Sequence, residues 1–411
     1  MNYNYRYRLR PSDALEERLA ETVDTCRQVY NHFLHRLNRN NDTSAYSEQK
    51  QLPDLKKWWE DLKQVHSKAL QKVVQRLYDN LSTLRGRKQN GHRVGNLKWK
   101  GQGEYRSFTY SQSGFELKNT SGRTKLWLSK IGEIPLIFHR DLPDAAEIKT
   151  VTVKREPTGK WYAILGVETP DDPPEKPETP SKCVGIDVGI LKYAHDTDGT
   201  AVGPLDLSDE RERLERAQRD LSRKEHGSNN WEENRRVVAE RHADLKRKRH
   251  DFLHKLSNHY AREYDLVAVE DLDAAGLVEL PGNSRNRAGA AWGTFLRMLE
   301  YKCERDGTHF VAVDPAGTTK ECAACGVSTD KPLWVREHSC PSCGFTADRD
   351  WNAAWNILSR GIKRLGAGRS EPTPVETALP TGTTSVPAKR VVEAGSPTLK
   401  REGVSPSGRV G

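Results

Sequence analysis

The amino-acid sequence predicts an α+β multidomain chain: a β-barrel with a helical insert, then a mixed α/β domain interrupted by a four-cysteine module. Three observations predict it. Strict alternation at the start (Tyr3, Tyr5, Tyr7 and Leu9 against Asn4, Arg6 and Arg8) resumes only beyond residue 93, with helical periodicity between. Prolines at 170, 173, 174, 177 and 180 divide the chain. Beyond them, two short apolar runs each hold an acid, and a pair of CxxC knuckles follows.

A period of two makes residues 3–9 a strand with a basic outer face. Pro11 and Ser12 end it and cap a helix. Leu15, Leu19, Val23, Cys26, Tyr30, Phe33 and Leu37 then form one helical face. After a polar loop over 38–47, a second helical stretch runs from Leu55 through Trp58, Trp59 and Val65 to Leu84, with lysines on its other face. Strand patterns occupy 93–170. Ile148, Val151 and Val153 meet Trp161, Ile164 and Val167 across the turn Pro157-Thr158-Gly159, which reads as a hairpin. Strand 3–9 therefore joins the later strands, giving a barrel of 1–10 plus 89–168 with residues 11–88 inserted. Proline as dense as that of 169–182 sustains neither helix nor sheet and makes a stiff linker.

In Cys183-Val-Gly-Ile-Asp187-Val-Gly, an acid sits inside a buried strand, a costly place unless it is paired or metal-bound. Gly185 and Gly189 permit close approach of another backbone or a ligand. Leu191–His195 and the Asp198-Gly199 turn read as the next strand and hairpin. Leu266-Val-Ala-Val-Glu270 repeats the pattern, and functional groups gather at the carboxyl ends of strands in open α/β sheets. Asp350, after Asp348 and Arg349, opens a helix over Trp351–Leu358, where an acid alone is ordinarily an N-cap. Three carboxylates brought together would repel one another without a cation. Hard oxygen donors suit Mg²⁺, and a pair of such ions serves phosphodiester cleavage by activating water and stabilising the leaving oxygen.

Cys322-Ala-Ala-Cys325 and Cys340-Pro-Ser-Cys343 have zinc-knuckle spacing, each followed by a glycine (Gly326, Gly344) where the tight turn disfavours a Cβ. Four thiolates make a closed, structural Zn²⁺ site, with His338 as a possible substitute ligand. Cys26, Cys183 and Cys303 lie on apolar faces and read as core. Residues 208–263 read as a helical hairpin turning at Gly227-Ser-Asn-Asn230, with Trp231, Val238, Leu245 and Phe252 as a packing stripe. Its basic remainder, including Lys246-Arg-Lys-Arg249, suits phosphate contact; a solvated helix with pairs such as Glu232–Arg236 is the plainer alternative. His250 and His254 read as surface or phosphate-facing residues.

Lys plus Arg number 66 against 57 acids, a net charge of +9 that attracts polyanions. There is no long apolar run for a membrane span and no apolar core of a signal peptide, so a cytoplasmic, nucleoid-associated location is expected, with reduced cysteines. The last 45 or so residues (364–411) are rich in Pro, Gly, Ser and Thr and read as a disordered tail.

These residues resemble the TnpB family of insertion-sequence proteins, relatives of type V CRISPR effectors. GIDVG looks like the first nuclease motif, VAVEDL the second and RDWNAAWNIL the third; Pro315, Thr318-Thr-Lys320 and CAACG look like the approach to the zinc ribbon. The N-terminal YRYRLRPS…RQVYN and NLKWKG…SFTYSQ also match. Thr318-Thr319 stands where the family usually has Thr-Ser.

The resemblance implies a wedge-like barrel with a helical recognition insert. It also implies an RNase H-like (RuvC) nuclease domain over 183–319 plus 346–363, interrupted by a zinc ribbon over 320–345. Asp187, Glu270 and Asp350 would be catalytic and bind magnesium; Cys322, Cys325, Cys340 and Cys343 would bind zinc. Its partners would be a guide RNA, which pairs with the target, and double-stranded DNA, with the protein a monomer on its RNA. The function expected is an RNA-guided, Mg-dependent DNA endonuclease encoded by a transposable element. An RNA-guided repressor without cleavage and a transposase or accessory transposition protein are the alternatives. No His-x-His pair of a tyrosine-dependent transposase is present.

Overall fold

The structure, a computed structural model, describes residues 1–40, 43–120, 122–170, 172–279, 284–332, 334–366 and 389–391. It forms two compact units: Met1–Asp172 with Arg223–Glu240, and Pro173–Ser222 with the chain from Arg241 onward.

In the first unit the chain runs β1 (Asn2–Leu9), α1 (Asp13–Arg39), α2 (Ala45–Gln49), α3 (Leu52–Trp58), a 3-10 turn (Glu60–Lys63) and α4 (Ser67–Gln89). Six strands follow: β2 (Ser107–Ser111), β3 (Phe115–Thr120), β4 (Arg123–Leu128), β5 (Gly132–Ile137), β6 (Glu147–Arg155) and β7 (Trp161–Glu168). With β1 they make one seven-stranded sheet, ordered β2-β6-β7-β1-β5-β4-β3. β1 pairs antiparallel with β7 from Asn2↔Glu168 to Leu9↔Trp161, so the first strand does join the later ones. Its alternation buries Tyr7 and Leu9, which share a core with Leu19, Cys26 and Phe33 of α1 and Leu70, Val74 and Leu77 of α4. Each such side chain contributes about 1.5–3 kcal/mol by leaving water.

Two local expectations change. The second helical stretch is three pieces, because Trp59 (φ −108°, ψ 92°) and His66 (ψ 132°) adopt non-helical backbone. Leu55, Leu62, Val65, Leu70 and Leu77 of the expected face are buried, but Trp58, which the same periodicity placed there, is exposed at the end of α3. Ser12 stands at the N-cap of α1, but its side chain makes no capping hydrogen bond.

The second unit contains β8 (Cys183–Val188), β9 (Ala194–Asp196), β10 (Thr200–Val202), α5 (Ser208–Ser222) and most of α6 (Asn229–Glu263). Next come β11 (Leu266–Glu270), α7 (Ala274–Glu279), α8 (Ser284–Ala290), α9 (Trp292–Asp306) and β12 (His309–Val313). The last elements are β13 (Glu337–Ser339), β14 (Thr346–Asp348), α10 (Arg349–Leu365) and β15 (Lys389–Val391). Its sheet is ordered β12-β11-β8-β9-β10-β15. β12, β11 and β8 are parallel, while β8, β9 and β10 are antiparallel. The strand expected at Leu191 begins at Ala194, with Leu191 exposed. Of the tail, residues 364–366 end or follow α10 and 389–391 form β15; the rest lies outside the described residues.

α10 lies directly on β8 at Gly185. A Cβ there would stand 2.1 Å from the Ala354 carbonyl oxygen and 2.8 Å from the Leu358 amide nitrogen. Gly185→Ala is therefore expected to cost about 1–3 kcal/mol through overpacking. Urea unfolding would read this as a lower midpoint; an unchanged midpoint would contradict the close approach.

Candidate active site

The sheet and α10 present three acids from separate parts of the chain. Asp187 belongs to β8, opposite His195 of β9. Glu270 ends the neighbouring parallel strand β11, and Asp350 lies in the first turn of α10. Burial pushes the Asp187 carboxyl well above the usual range, and the negative charges of Glu270 and Asp350 push it further; Arg349 opposes them. Glu270 is buried, and its pKa is also raised by desolvation; Thr318 Oγ1 donates to its Oε1 at 2.5 Å and counters the shift. Asp350 Oδ1 accepts from Arg349 Nε at 3.2 Å and from a terminal guanidinium nitrogen at 3.1 Å. The Asp187 carboxyl thus senses both other acids, and burial makes that repulsion stronger than it would be in water.

Asp350 is not the helix cap. That work falls to Asp348, whose Oδ1 accepts from the amides of Asp350 at 2.9 Å and Trp351 at 3.3 Å. Burial raises the Asp348 carboxyl, but His195 at 3.3 Å and Lys192 at 2.6 Å outweigh it and hold the group well below the usual carboxylate range. Lys192 and His195 lie on or just before β9, so they tie the start of α10 to the hairpin that carries Asp187. No sequence motif marked them; only the packing of α10 against β9 brings them to Asp348. Asp348→Ala is expected to lower stability by about 0.5–2 kcal/mol as a lost cap. It should also slow metal-dependent activity by about 10–100-fold, as loss of an outer-shell partner does. Normal unfolding together with a normal rate would show that the cap does not orient Asp350.

The four cysteines come together. Cys322 and Cys343 Sγ atoms are 3.7 Å apart, Cys325 and Cys340 3.6 Å, and all four ligand atoms lie within 4.8 Å of one another. A tetrahedron with Zn–S bonds of about 2.3 Å has sulfur–sulfur edges of about 3.8 Å, so the set fits zinc. Gly326 and Gly344 both have φ of +73°, the left-handed turn the knuckles require. Among the described residues this is the one group of three or more potential ligands so closely gathered; the acids are more widely spaced. His338 stands apart from it, buried beside Lys331, and burial followed by that lysine lowers its pKa to about 4.

α10 also anchors the segments leading into this module. Asn352 accepts from the Ala323 amide at 2.9 Å and donates to the Glu321 carbonyl at 2.7 Å. Asn356 donates to the carbonyls of Thr318 and Glu321, and Arg360 to those of Asp314 and Ala316. One helix therefore carries Asp350 and fixes Thr318, the partner of Glu270.

Cys26 and Cys303 are buried and Cys183 half-buried, as core residues should be. The basic hairpin is more extensively paired than its composition suggests. Lys248 meets Glu210, Arg247 meets Asp244, and Glu232 pairs with Arg235 rather than Arg236. The rings of His250 and His254 are 5.7 Å apart and belong to no close group of metal ligands among the described residues. No helix of the described residues is long and apolar enough to cross a membrane.

Comparison with known proteins adds independent findings. Residues 164–280 match a family described as "Probable transposase", residues 292–357 one described as "Cas12f1-like, TNB domain" and residues 1–42 one described as "Helix-turn-helix domain". The described part of that last stretch forms one strand and one helix, β1 and α1. A Streptomyces pristinaespiralis protein provisionally named RNA-guided DNA endonuclease is 34% identical over 379 residues, spanning 89% of this chain and 90% of its own. An Escherichia coli K12 protein provisionally named RNA-guided DNA endonuclease InsQ is 31% identical over 395 residues, spanning 89% and 93%. Among solved structures, the Cas12f1–sgRNA–target DNA complex matches with a TM-score of 0.59 at 15% identity, over 84% of this chain and 83% of the other. The mini-RNA-guided endonuclease CRISPR-Cas phi3 matches at 0.50 and 9% identity, over 91% and 93%. At these identities the two structures establish a shared fold.

Proposed function

Because the chain belongs to the TnpB-like family of RNA-guided DNA endonucleases of insertion sequences, we propose that it is an RNA-guided, magnesium-dependent DNA endonuclease encoded by a transposable element, with Asp187, Glu270 and Asp350 as its catalytic acids. The observation that carries this reading is the electrostatic convergence of those carboxyls on Asp187 from three distant segments. Their donor set is all oxygen, which suits Mg²⁺. Divalent ions bound there supply an activated water and charge stabilisation at the leaving oxygen.

The chain's own residues do the positioning. β8 fixes Asp187, Thr318 orients Glu270, and Asp348 takes the capping role and leaves the Asp350 carboxyl to face Asp187. Arg349 meanwhile balances the Asp350 charge. The cysteine set holds a structural zinc, so the ribbon of 320–345 stays folded against the helix bearing Asp350.

The adjacency of two parallel acid-bearing strands, β8 and β11, supports an RNase H-like (RuvC) domain over 183–319 and 346–363. The seven-stranded sheet, with β1 between β7 and β5, supports a wedge-like barrel of 1–10 and 89–168 with a recognition insert over 11–88. Guide RNA and double-stranded DNA are the partners, one protein per RNA, in the cytoplasm near the nucleoid. Presence of all three acids favours cleavage over an RNA-guided repressor, and the sequence has no His-x-His pair of a tyrosine-dependent transposase.

Purified with RNA transcribed from its own element and supplied with Mg²⁺, the protein is expected to cut DNA matching the guide and to spare a mismatched control. Sequencing the co-purified RNA identifies the guide. Guide-independent cutting, or purification without RNA, would overturn the RNA-guided part.

A further inference from the structure

A cavity of about 350 Å³ lies in the second unit, and the residues assigned to catalysis do not use it. Its wall begins at Gly189 and Ile190, immediately after the strand bearing Asp187. Ile190, Leu205 and Phe252 make it apolar; Arg211 from α5 and Arg249 from α6 face into it. Gly289 of α8 provides the space for Arg211: a Cβ there would stand 2.6 Å from a guanidinium nitrogen.

The two arginines are poorly compensated. Among the described residues, neither guanidinium has a carboxylate at salt-bridge distance, whereas Arg216, Arg235, Arg247, Lys248 and Lys255 of the α5–α6 hairpin do. The Nε of Arg249 is sealed from solvent and has no hydrogen-bond partner. Burial depresses the pKa of Arg249, and the like charge of Arg211 adds to the effect. Asp206 is the acid on the wall; its carboxylate accepts from the Ser208 amide at 2.9 Å, and the charge of Arg211 helps that bond hold its pKa down, but the two form no ion pair. The sequence over 280–286 (Leu-Pro-Gly-Asn-Ser-Arg-Asn), which precedes Gly289, contains no acid.

Two half-buried like charges beside an unsatisfied donor are unfavourable until an anion lies between them. The apolar wall asks for a flat, weakly polar group on the same ligand. A volume just above the lower end of small-ligand sites, about 300 Å³, admits one such unit and excludes a duplex. The geometry points to a pocket for a single unpaired nucleotide, its phosphate between Arg211 and Arg249 and its base against Ile190, Leu205 and Phe252. The assignment rests on the nucleic-acid reading proposed above. It adds that a strand is gripped one pocket away from Asp187, where it would set which phosphate reaches the acids. DNA and guide RNA present the same chemistry, so both are tested.

The full chain assembled with its guide RNA is titrated with a short oligodeoxythymidylate in Mg²⁺-free buffer, and guide RNA is titrated separately onto the full chain. The variants are the double substitution Arg211→Gln/Arg249→Gln and the cavity-filling Leu205→Trp. One of the two affinities is expected to fall about tenfold per arginine, the scale of one charged hydrogen bond. The slope of log affinity against log salt should become shallower by about 0.7, the share of the single phosphate the arginines hold. Leu205→Trp should weaken the same titration, and whichever titration falls identifies the strand as DNA or RNA. Unchanged affinity and slope in both titrations overturns the pocket. If the double variant does not fold, full binding of both strands by Leu205→Trp overturns it alone. Because no cleavage is read, a wild-type protein that binds through these arginines yet cuts nothing would sink the nuclease reading and leave the pocket standing.

Discussion

Asp187→Ala is expected to abolish cleavage, slowing single-turnover cutting by at least about a thousandfold, while guide-directed binding of target DNA persists. The magnitude is that of removing a preorganised charged group from a buried centre. Binding should survive because most nucleic-acid affinity comes from phosphate contacts spread over a basic surface. Loss of binding along with cleavage would make Asp187 a structural residue instead.

The same position gives a second readout, in stability. In metal-free protein the Asp187 carboxyl has its pKa raised above the ordinary 3.8 by burial and by Glu270 and Asp350. The folded state then holds this proton more tightly than the unfolded chain, so from about pH 4 upward stability falls as pH rises through the window between the two values. Asp187→Asn, which cannot ionise, should remove this decline and raise the metal-free unfolding midpoint near neutral pH. A residue that costs the fold in this way is kept for chemistry, the usual sign of an active site. A lower midpoint would mean that the carboxyl is held by favourable contacts rather than crowded by like charge.

Cys322→Ser, or a strong chelator, is expected to have the other large effect. Structural zinc sites in small modules contribute about 10–16 kcal/mol of apparent binding energy, which is folding energy for the segment they close. Cys322 and Cys340 are buried and Cys325 and Cys343 exposed, and few large apolar side chains of 320–345 join the cores. The ribbon should therefore lose protease resistance at once. The effect should travel further, because Glu321 and Ala323 are bonded to Asn352 and Asn356 on the helix of Asp350. Cleavage should fall with the ribbon, whereas the first unit, whose core is separate, should unfold at its usual denaturant concentration. Zinc content near one per chain, lost on substitution, checks the premise. A chelated protein with an intact ribbon and full activity would reject it.

The contrast between Asp350 and Asp348 shows where sequence reasoning stops. Both acids precede an apolar helix, and either could cap it. Only the turn geometry gives the cap to Asp348, and only the packing of α10 against β9 supplies its partners Lys192 and His195. Likewise, the approach to the first knuckle was legible as a motif, but Thr318 as the partner of Glu270 was not, since the two are 48 residues apart. The basic hairpin ran the other way. Its charge pattern was plain, yet the structure pairs Arg247 and Lys248 and sets Arg211 and Arg249 together on the wall of a cavity.

By itself the sequence determined what periodicity and spacing encode. These are the strand at 3–9, the buried face of α1, the acids in their strands and helix, the turn glycines at 326 and 344, and the four zinc-type thiols. Such features are local: each depends on residues within a few positions of one another. The tertiary structure decided everything that depends on contacts distant in the chain: the place of β1 between β7 and β5, the approach of α10 to Gly185, and the shared field of Asp187, Glu270 and Asp350. Those arise because burying two helix-and-sheet cores brings remote backbone together, and no local pattern records which carboxyl will meet which.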